Sequence, residues 1–262
     1  MRQPDPVRPI DPQPPAASRV LLNAQTWESL ALLHWPVPAE RVQQLLPPGL
    51  VVDEHEGETW LGVVPFAMSG VRVPPLPAIP RCSAFPELNV RVYVHDLAGN
   101  RGVWFLGLWC SNAAFVAAAR TLGLPYHRAL AHTRTMPGSG PGLVSGADPV
   151  RAYRFLRSGG AAISFSATVR AGETVDASAG LAAWLTARWN MFAFRGGRLW
   201  RYPVHHEPWT LRRAVAEGLH TDAHRRFGFP PPTIPPLVHL AEPVHALVGP
   251  PRISPAPRSA RG

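Results

Sequence analysis

The sequence predicts an α+β domain built mostly from antiparallel strands. Three observations carry this. Extended candidates outnumber helical ones along the chain. Consecutive extended candidates are joined by turns rather than by helices. And 32 Pro and 22 Gly are scattered throughout, as many short strands linked by turns require.

Taken in order, residues 1–20 are rich in proline and read as a disordered leader, and residues 250–262, PPRISPAPRSARG, as a disordered tail. Between them, 21–249 reads as a single domain, with no long linker and no internal repeat. SLALLHWP, 29–36, is a buried strand by its apolar run. PAERVQQLL, 38–46, is a short helix with proline at its start, ended by PPGL. TWLGVVPFAMSGVRV, 59–73, is a long strand bent near Pro65 and Gly70, followed by a proline-rich loop over 74–86. PELNVRVYV, 86–94, alternates with a period of two and is a strand. HDLAGNR, 95–101, is a turn, and GVWFLGLWCS, 102–111, is the return strand. NAAFVAAARTLGL, 112–124, is Ala-rich with Asn112 as its N-cap, a helix. Strands follow near 128–135, 150–157 and 161–170, and a helix near 178–187. WNMFAF and RLWRYPV flank RGG as a hairpin, and LVHLAEPVHALV, 237–248, is the final strand.

The strand at 86–94 poses the functional question. Leu88, Val90, Val92 and Val94 lie on one face, and Glu87, Asn89, Arg91 and Tyr93 on the other. Such a polar row is ordinarily a solvent face. Its hairpin partner, however, shows no polar side. Simple alternation puts Val103, Phe105, Gly107 and Trp109 on one face and Trp104, Leu106, Leu108 and Cys110 on the other, so the partner is buried on both. The polar row is then interior as well, and must be hydrogen-bonded or face a ligand, since an unpaired buried polar group costs several kcal/mol. A curved sheet around a small polar cavity meets that requirement. Residues four apart on a strand are roughly 13 Å apart, so Glu87 and Arg91 do not pair along it.

Composition excludes several function classes. A hydrophobic fraction of 46% with nine Trp belongs to a packed globular chain. The formal charge of +9 suggests nucleic acid, but only 16% of residues are charged, and all 26 basic residues are Arg. Several of these sit in the tails, at Arg2, Arg8, Arg252, Arg258 and Arg261, and no basic run is interleaved with aromatics. Cys82 and Cys110 form no metal or redox spacing. The N-terminus has no apolar signal region and no run reaches the roughly 18 apolar residues of a membrane span. These readings predict a cytoplasmic protein with a small-molecule ligand, without a nucleic-acid or membrane partner; a homo-oligomer stays open.

The run LLHWPVPAERVQQLLPPGL, the segment WLGVVPF, the block FPELNVRVYV and the phrases ARTLGLPYHRA and VHHEPWTL resemble the YqjF-like family of uncharacterised bacterial proteins, over roughly residues 25–250. That family is similar to the acetoacetate decarboxylase superfamily. The resemblance implies a cone-like antiparallel β-barrel with helices outside and a ligand cavity inside. The decarboxylases carry a Gly-Phe-Pro-Lys-Lys phrase whose first lysine forms a Schiff base while the second lowers its pKa. The similar phrase here is Gly123-Leu124-Pro125-Tyr126-His127, with Tyr126 in the place of the Schiff-base lysine and His127 in that of its cationic neighbour. The chain has no lysine at all, so imine chemistry is excluded. Glu87 resembles the superfamily's cavity glutamate.

The candidate catalytic residues are therefore Glu87, as general acid or base if desolvation raises its pKa, with Tyr126 and His127 as hydrogen-bond or proton partners of a carbonyl ligand. Arg91 is a bidentate clamp for a carboxylate, with Asn89, Tyr93, His34 and His205 as further ligand-binding candidates. Each has a structural alternative: a carboxylate anchoring amides, a buried ion pair, a satisfied core histidine. His205 and His206 are adjacent and point to opposite faces, so they do not share one metal, and neither metal nor cofactor is expected. The readings that remain are a non-imine lyase, hydratase or isomerase, a non-catalytic carrier or sensor whose Trp residues line the cavity, and a basic nucleic-acid adaptor.

Overall fold

The computed structural model describes residues 5–80, 82–137 and 149–255. Its elements are β1 (Asn23–Glu28), β2 (Leu30–Val37), α1 (Ala39–Gln44), β3 (Leu50–Val52), β4 (Thr59–Arg72), β5 (Phe85–Asp96), β6 (Arg101–Cys110), α2 (Ala113–Thr121), β7 (Tyr126–Arg128), β8 (Leu130–Met136), β9 (Val150–Arg157), β10 (Ile163–Val175), α3 (Gly180–Thr186), β11 (Asn190–Arg195), β12 (Arg198–His205), β13 (Leu211–Thr221), α4 (Ala223–Arg226), β14 (Leu237–Ala241), β15 (Val244–Val248) and β16 (Arg252–Ile253). The fold is mostly antiparallel β, as the sequence predicts.

Seven strands close into a ring. The hydrogen-bonded path β5-β6-β11-β12-β15-β1-β4 returns on itself because β4 also pairs with β5. The β6–β11 contact is parallel, and the other ring pairings are antiparallel. β4 is long enough to serve two neighbours on its other edge. Its residues 67–72 pair with β1, and residues 59–63 with β2, from which the sheet continues outward as β14-β13-β10-β9-β8. The register shift opposite Ala24 and Thr26, next to Gly70 at φ 60°, is the bend expected in this strand.

This topology explains the two faces of β5. Leu88, Val90, Val92 and Val94 are fully buried in a core shared with the outer sheet, with Leu33, Val63 and Phe165 among their neighbours. Each such side chain contributes about 2 kcal/mol by its burial. The opposite face looks into the ring.

The alternation expected for β6 is broken by a bulge. Val90 pairs with Gly107 but Arg91 with Phe105, which leaves Leu106 as the extra residue. The parity flips there. Val103 and Phe105 before the bulge and Leu108 after it all face the interior, while Trp109 turns to the outer core, its indole Nε1 donating to Ala161 O at 3.0 Å. Gly107 is required under that ring, since a Cβ there would lie 2.3 Å from Cη2 of Trp109.

The hairpin at RGG forms as expected. Arg195 opposes Arg198 across Gly196 and Gly197, whose φ values of 58° and 70° suit a mirror-image two-residue turn. Asn112 caps α2, its Oδ1 accepting from the Phe115 N–H at 3.0 Å. The single strand expected over 237–248 is instead two. Pro243 has no N–H to continue the ladder, so β14 stays in the outer sheet beside β2 and β13 while β15 joins the ring beside β1 and β12. β1, β3, β7, β13, α4 and β16 were not anticipated. β13 reads LRRAVAEGLHT, with paired arginines and a glycine in place of clean alternation. Residues 5–20 run as irregular chain along the body. The Asp5 N–H donates to Leu97 O, and Arg101 Nε, Trp189 Nε1 and His205 Nδ1 donate to the carbonyls of Arg8, Asp11 and Pro15.

Candidate functional site

The ring encloses a cavity of about 710 Å³, to which every one of its seven strands contributes a side chain. That is the size of a small-molecule site. The lining is mainly apolar, with a few polar groups, and β5 supplies three of them: Glu87, Asn89 and Arg91.

Glu87 is 3% exposed and has a single side-chain partner among the described residues. Tyr126 Oη donates to its Oε2 at 2.7 Å. β7 makes this possible by pairing parallel to β6, which sets Tyr126 opposite Leu108 and within reach of Glu87. Burial raises the Glu87 carboxyl to about 8, with the Tyr126 hydrogen bond opposing it weakly. Burial and then the adjacent Glu87 charge push the Tyr126 phenol well above its ordinary value and the Cys110 thiol up to about 12. At neutral pH this end of the cavity therefore holds a carboxylic acid rather than a carboxylate.

Two residues along is Asn89, whose buried Oδ1 has no partner among the described residues. Two further is Arg91. Its guanidinium carbon lies 5.6 Å from the centre of the Tyr93 ring, and among the described residues its buried Nε has no partner and no carboxylate lies within ion-pair distance. Gly62, opposite on β4, makes room for it. A Cβ there would lie 3.1 Å from Arg91 Cγ and 3.2 Å from Tyr93 Oη.

Tyr93 shares the face but sits beyond the cavity wall. With Trp60 and Trp184 it plugs the ring beyond Arg91. Its hydroxyl and His34 Nε2 share a hydrogen bond of 2.6 Å, and burial, then the charges of Arg91 and His239, hold His34 neutral. His34 thus supports Tyr93 and does not line the cavity. His127 points the other way from Tyr126. Its ring packs 5.8 Å from Trp109 in the outer core, with burial and then Arg157 lowering its pKa. His205 lies outside too, holding the N-terminal segment. Of the eight residues singled out from the sequence, Glu87, Asn89, Arg91 and Tyr126 share the cavity; Tyr93 and His34 pack beyond its wall; His127 and His205 are elsewhere.

Other lining residues escaped the sequence reading, Arg188 and His206 among them. Arg188, just after α3, is buried, and its guanidinium stands 4.9 Å from Tyr93 and 4.4 Å from Trp184. Its Nη1 donates to Asp53 at 2.5 Å while Nη2 has no partner among the described residues. His206, not its neighbour His205, faces the cavity. Its Nδ1 donates to Glu207 O at 2.7 Å, so the ring carries its lone pair on Nε2. Trp27, Trp189 and Trp209 surround it at 5.5, 4.6 and 4.4 Å, and burial lowers its pKa to about 4. Strand parity at the end of β12 was the only available signal for it. Among the described residues no three His, Cys, Asp or Glu side chains are grouped to hold a metal, and no helix is long and apolar enough to cross a membrane.

Comparison with known proteins places this architecture. Residues 24–245 match the profile of the DUF2071 family, described as an uncharacterized conserved protein. The uncharacterized protein YqjF of Bacillus subtilis (strain 168) is 33% identical over 230 residues, which cover 85% of this chain and 88% of that one. Among solved structures, an acetoacetate decarboxylase-like enzyme from Sphingomonas wittichii RW1 superposes with a TM-score of 0.63 at 15% identity, covering 92% of this chain and 95% of that one. The enduracididine biosynthesis enzyme MppR, complexed with pyruvate, gives 0.63 at 13% identity, covering 92% and 91%. The chain therefore belongs to the DUF2071 family of YqjF-like proteins and has an acetoacetate decarboxylase-like fold.

Proposed function

We propose that the barrel interior binds a small metabolite bearing a carboxylate and a carbonyl, and moves a proton on it without forming an imine. The observation that carries this reading is the pairing, on one wall of one cavity, of an arginine with no carboxylate partner among the described residues and a carboxyl group lifted to about 8. Arg91 would hold the ligand's carboxylate bidentately. Glu87 is poised near neutrality, where an acid–base group is most effective in both directions. Asn89 lies between them and can hydrogen-bond a carbonyl, and His206 Nε2 offers an acceptor across the cavity. Tyr126, donating to Glu87, holds the carboxyl in place. The chemistry is that of a lyase, hydratase or isomerase acting on an oxo acid. With no lysine in the chain, the carbonyl must be activated by hydrogen bonds and not as a Schiff base. The pyruvate held by MppR, on the same fold, is a ligand of this class.

Native mass spectrometry of the purified protein, with and without added oxo acids, tests the reading. Arg91→Ala abolishes retention of the acid. Glu87→Gln retains it but forms no product. Unchanged retention in a folded Arg91→Ala variant overturns the assignment. Retention without turnover in the wild type favours the alternative of a carrier or sensor, for which the tryptophans around His206 speak.

A further inference from the structure

The cavity is polarised along β4 and β5, and the direction can be read from the register. Arg91 opposes Gly62, Asn89 opposes Val64 and Glu87 opposes Phe66. Beyond Arg91 the ring is plugged by Trp60, Tyr93 and Trp184. In the other direction β4 continues past Phe66 to Val71 and into the segment 73–79, which also lines the cavity. There the lining is exposed: Val73 by 54%, Leu76 by 65% and Ile79 by 67%. Lining residues that are also exposed mark the mouth, and Phe115 of α2 and Leu122 just after it complete it. Three large apolar side chains held out on one proline-rich loop are unusual on a surface without a purpose.

Resting on the reading above, we propose that the substrate class is an amphiphilic monocarboxylate: the acid group at Arg91, the reacting carbons beside Asn89 and Glu87, and a hydrocarbon tail running past Phe66, Phe115 and Leu122 to the loop of Leu76 and Ile79. Three features agree. The volume of about 710 Å³ is that of a drug-sized ligand and not of a three-carbon acid. The closed end is cationic, with Arg91 and Arg188. The path from Glu87 outward is mainly apolar, with Asn23 and Gln25 of β1 along it and Arg72 at the rim, whose Nη1 donates to Gly70 O in an exposed position.

Isothermal titration of the full chain with straight-chain carboxylates from butanoate to dodecanoate, and with the alcohols of the same lengths, tests this. Affinity should rise by about fourfold per methylene buried, and acids should exceed alcohols at every length. Arg91→Ala should weaken all the acids by a common factor. Leu76→Ser with Ile79→Ser, at exposed positions that leave the fold intact, should flatten the dependence on length while leaving butanoate unchanged. Equal binding of butanoate and dodecanoate through Arg91 overturns the tail and leaves the proposed function standing. Acids that bind no better than alcohols, or at no length at all, overturn both. A loss in Arg72→Ala in place of Arg91→Ala shows the acid reversed in the barrel. If the double serine variant changes the mass in solution but not the length dependence, the loop is an interface between copies, and the tail assignment falls.

Discussion

Two carboxylates, Asp53 and Glu87, are each 3% exposed, and the protein treats them in opposite ways. Asp53 accepts from Arg101 Nη1 at 2.6 Å and from Arg188 Nη1 at 2.5 Å, so two cations from distant parts of the chain compensate its charge. Glu87 has only a neutral phenol, and burial keeps its proton on until about pH 8. A paired buried carboxylate ties elements together. An unpaired one is left with a proton to exchange. The largest expected effect lies on the structural side. Asp53→Asn leaves the buried Arg188 without its counter-charge and should cost about 3–5 kcal/mol, read by urea denaturation at pH 7. Glu87→Gln should not destabilise under the same conditions, because the native wild type must keep at pH 7 a proton that its unfolded chain has released, and the amide carries no such penalty. The reverse order of losses would break the distinction.

The two sites also differ in how much of them the sequence disclosed. The Glu87 row was legible because strand alternation is local and its hairpin partner is adjacent. The Asp53 clamp was not, since its partners are 48 and 135 residues away and nothing in VVDEHEG marks the aspartate. The inside of the barrel followed from a partner strand apolar on both faces, yet the assignment of Trp109 and Leu108 to its two faces was inverted by one extra residue at Leu106, which no local pattern reveals. His206 was missed in favour of His205 for a similar reason. Choosing between adjacent residues at the end of a strand needs the register, and register is set by pairing across the sheet.

The second prediction concerns pH. The folded-state pKa of Glu87 lies above its unfolded value of 4.5, so between pH 4.5 and about 8 the native chain keeps a proton that the unfolded chain has released. Stability from this group is present below 4.5 and falls as pH rises through that window. Glu87→Gln removes the dependence. Relative to wild type it should gain on the order of 3 kcal/mol between pH 5 and pH 9, allowing for relaxation around the ionised group. Denaturation curves at the two pH values check it; parallel curves for wild type and variant would show that Glu87 is ionised already, and would place it with Asp53.

Gly62→Ala probes the other end of the row. The added methyl meets Arg91 Cγ and Tyr93 Oη at distances tighter than ordinary contact, and Tyr93 is fully buried. The expected cost is about 1–2 kcal/mol of stability. It should come with loss of acid binding to the same degree as Arg91→Ala, measured by titration with one carboxylate. Unimpaired binding would mean that Arg91 swings freely and is no fixed clamp.

The smallest effect is the most diagnostic of Glu87. Tyr126→Phe deletes the one hydrogen bond that stabilises the ionised carboxylate, leaving desolvation unopposed. Stability at pH 7 should change by about 1 kcal/mol, while the carboxyl pKa, followed by carbon NMR of labelled glutamate, moves further upward. A purely structural tyrosine would alter the stability and leave the titration where it was. A downward movement would mean that Tyr126 bonds chiefly to the protonated acid, and that the phenol, rather than the apolar wall, keeps Glu87 neutral.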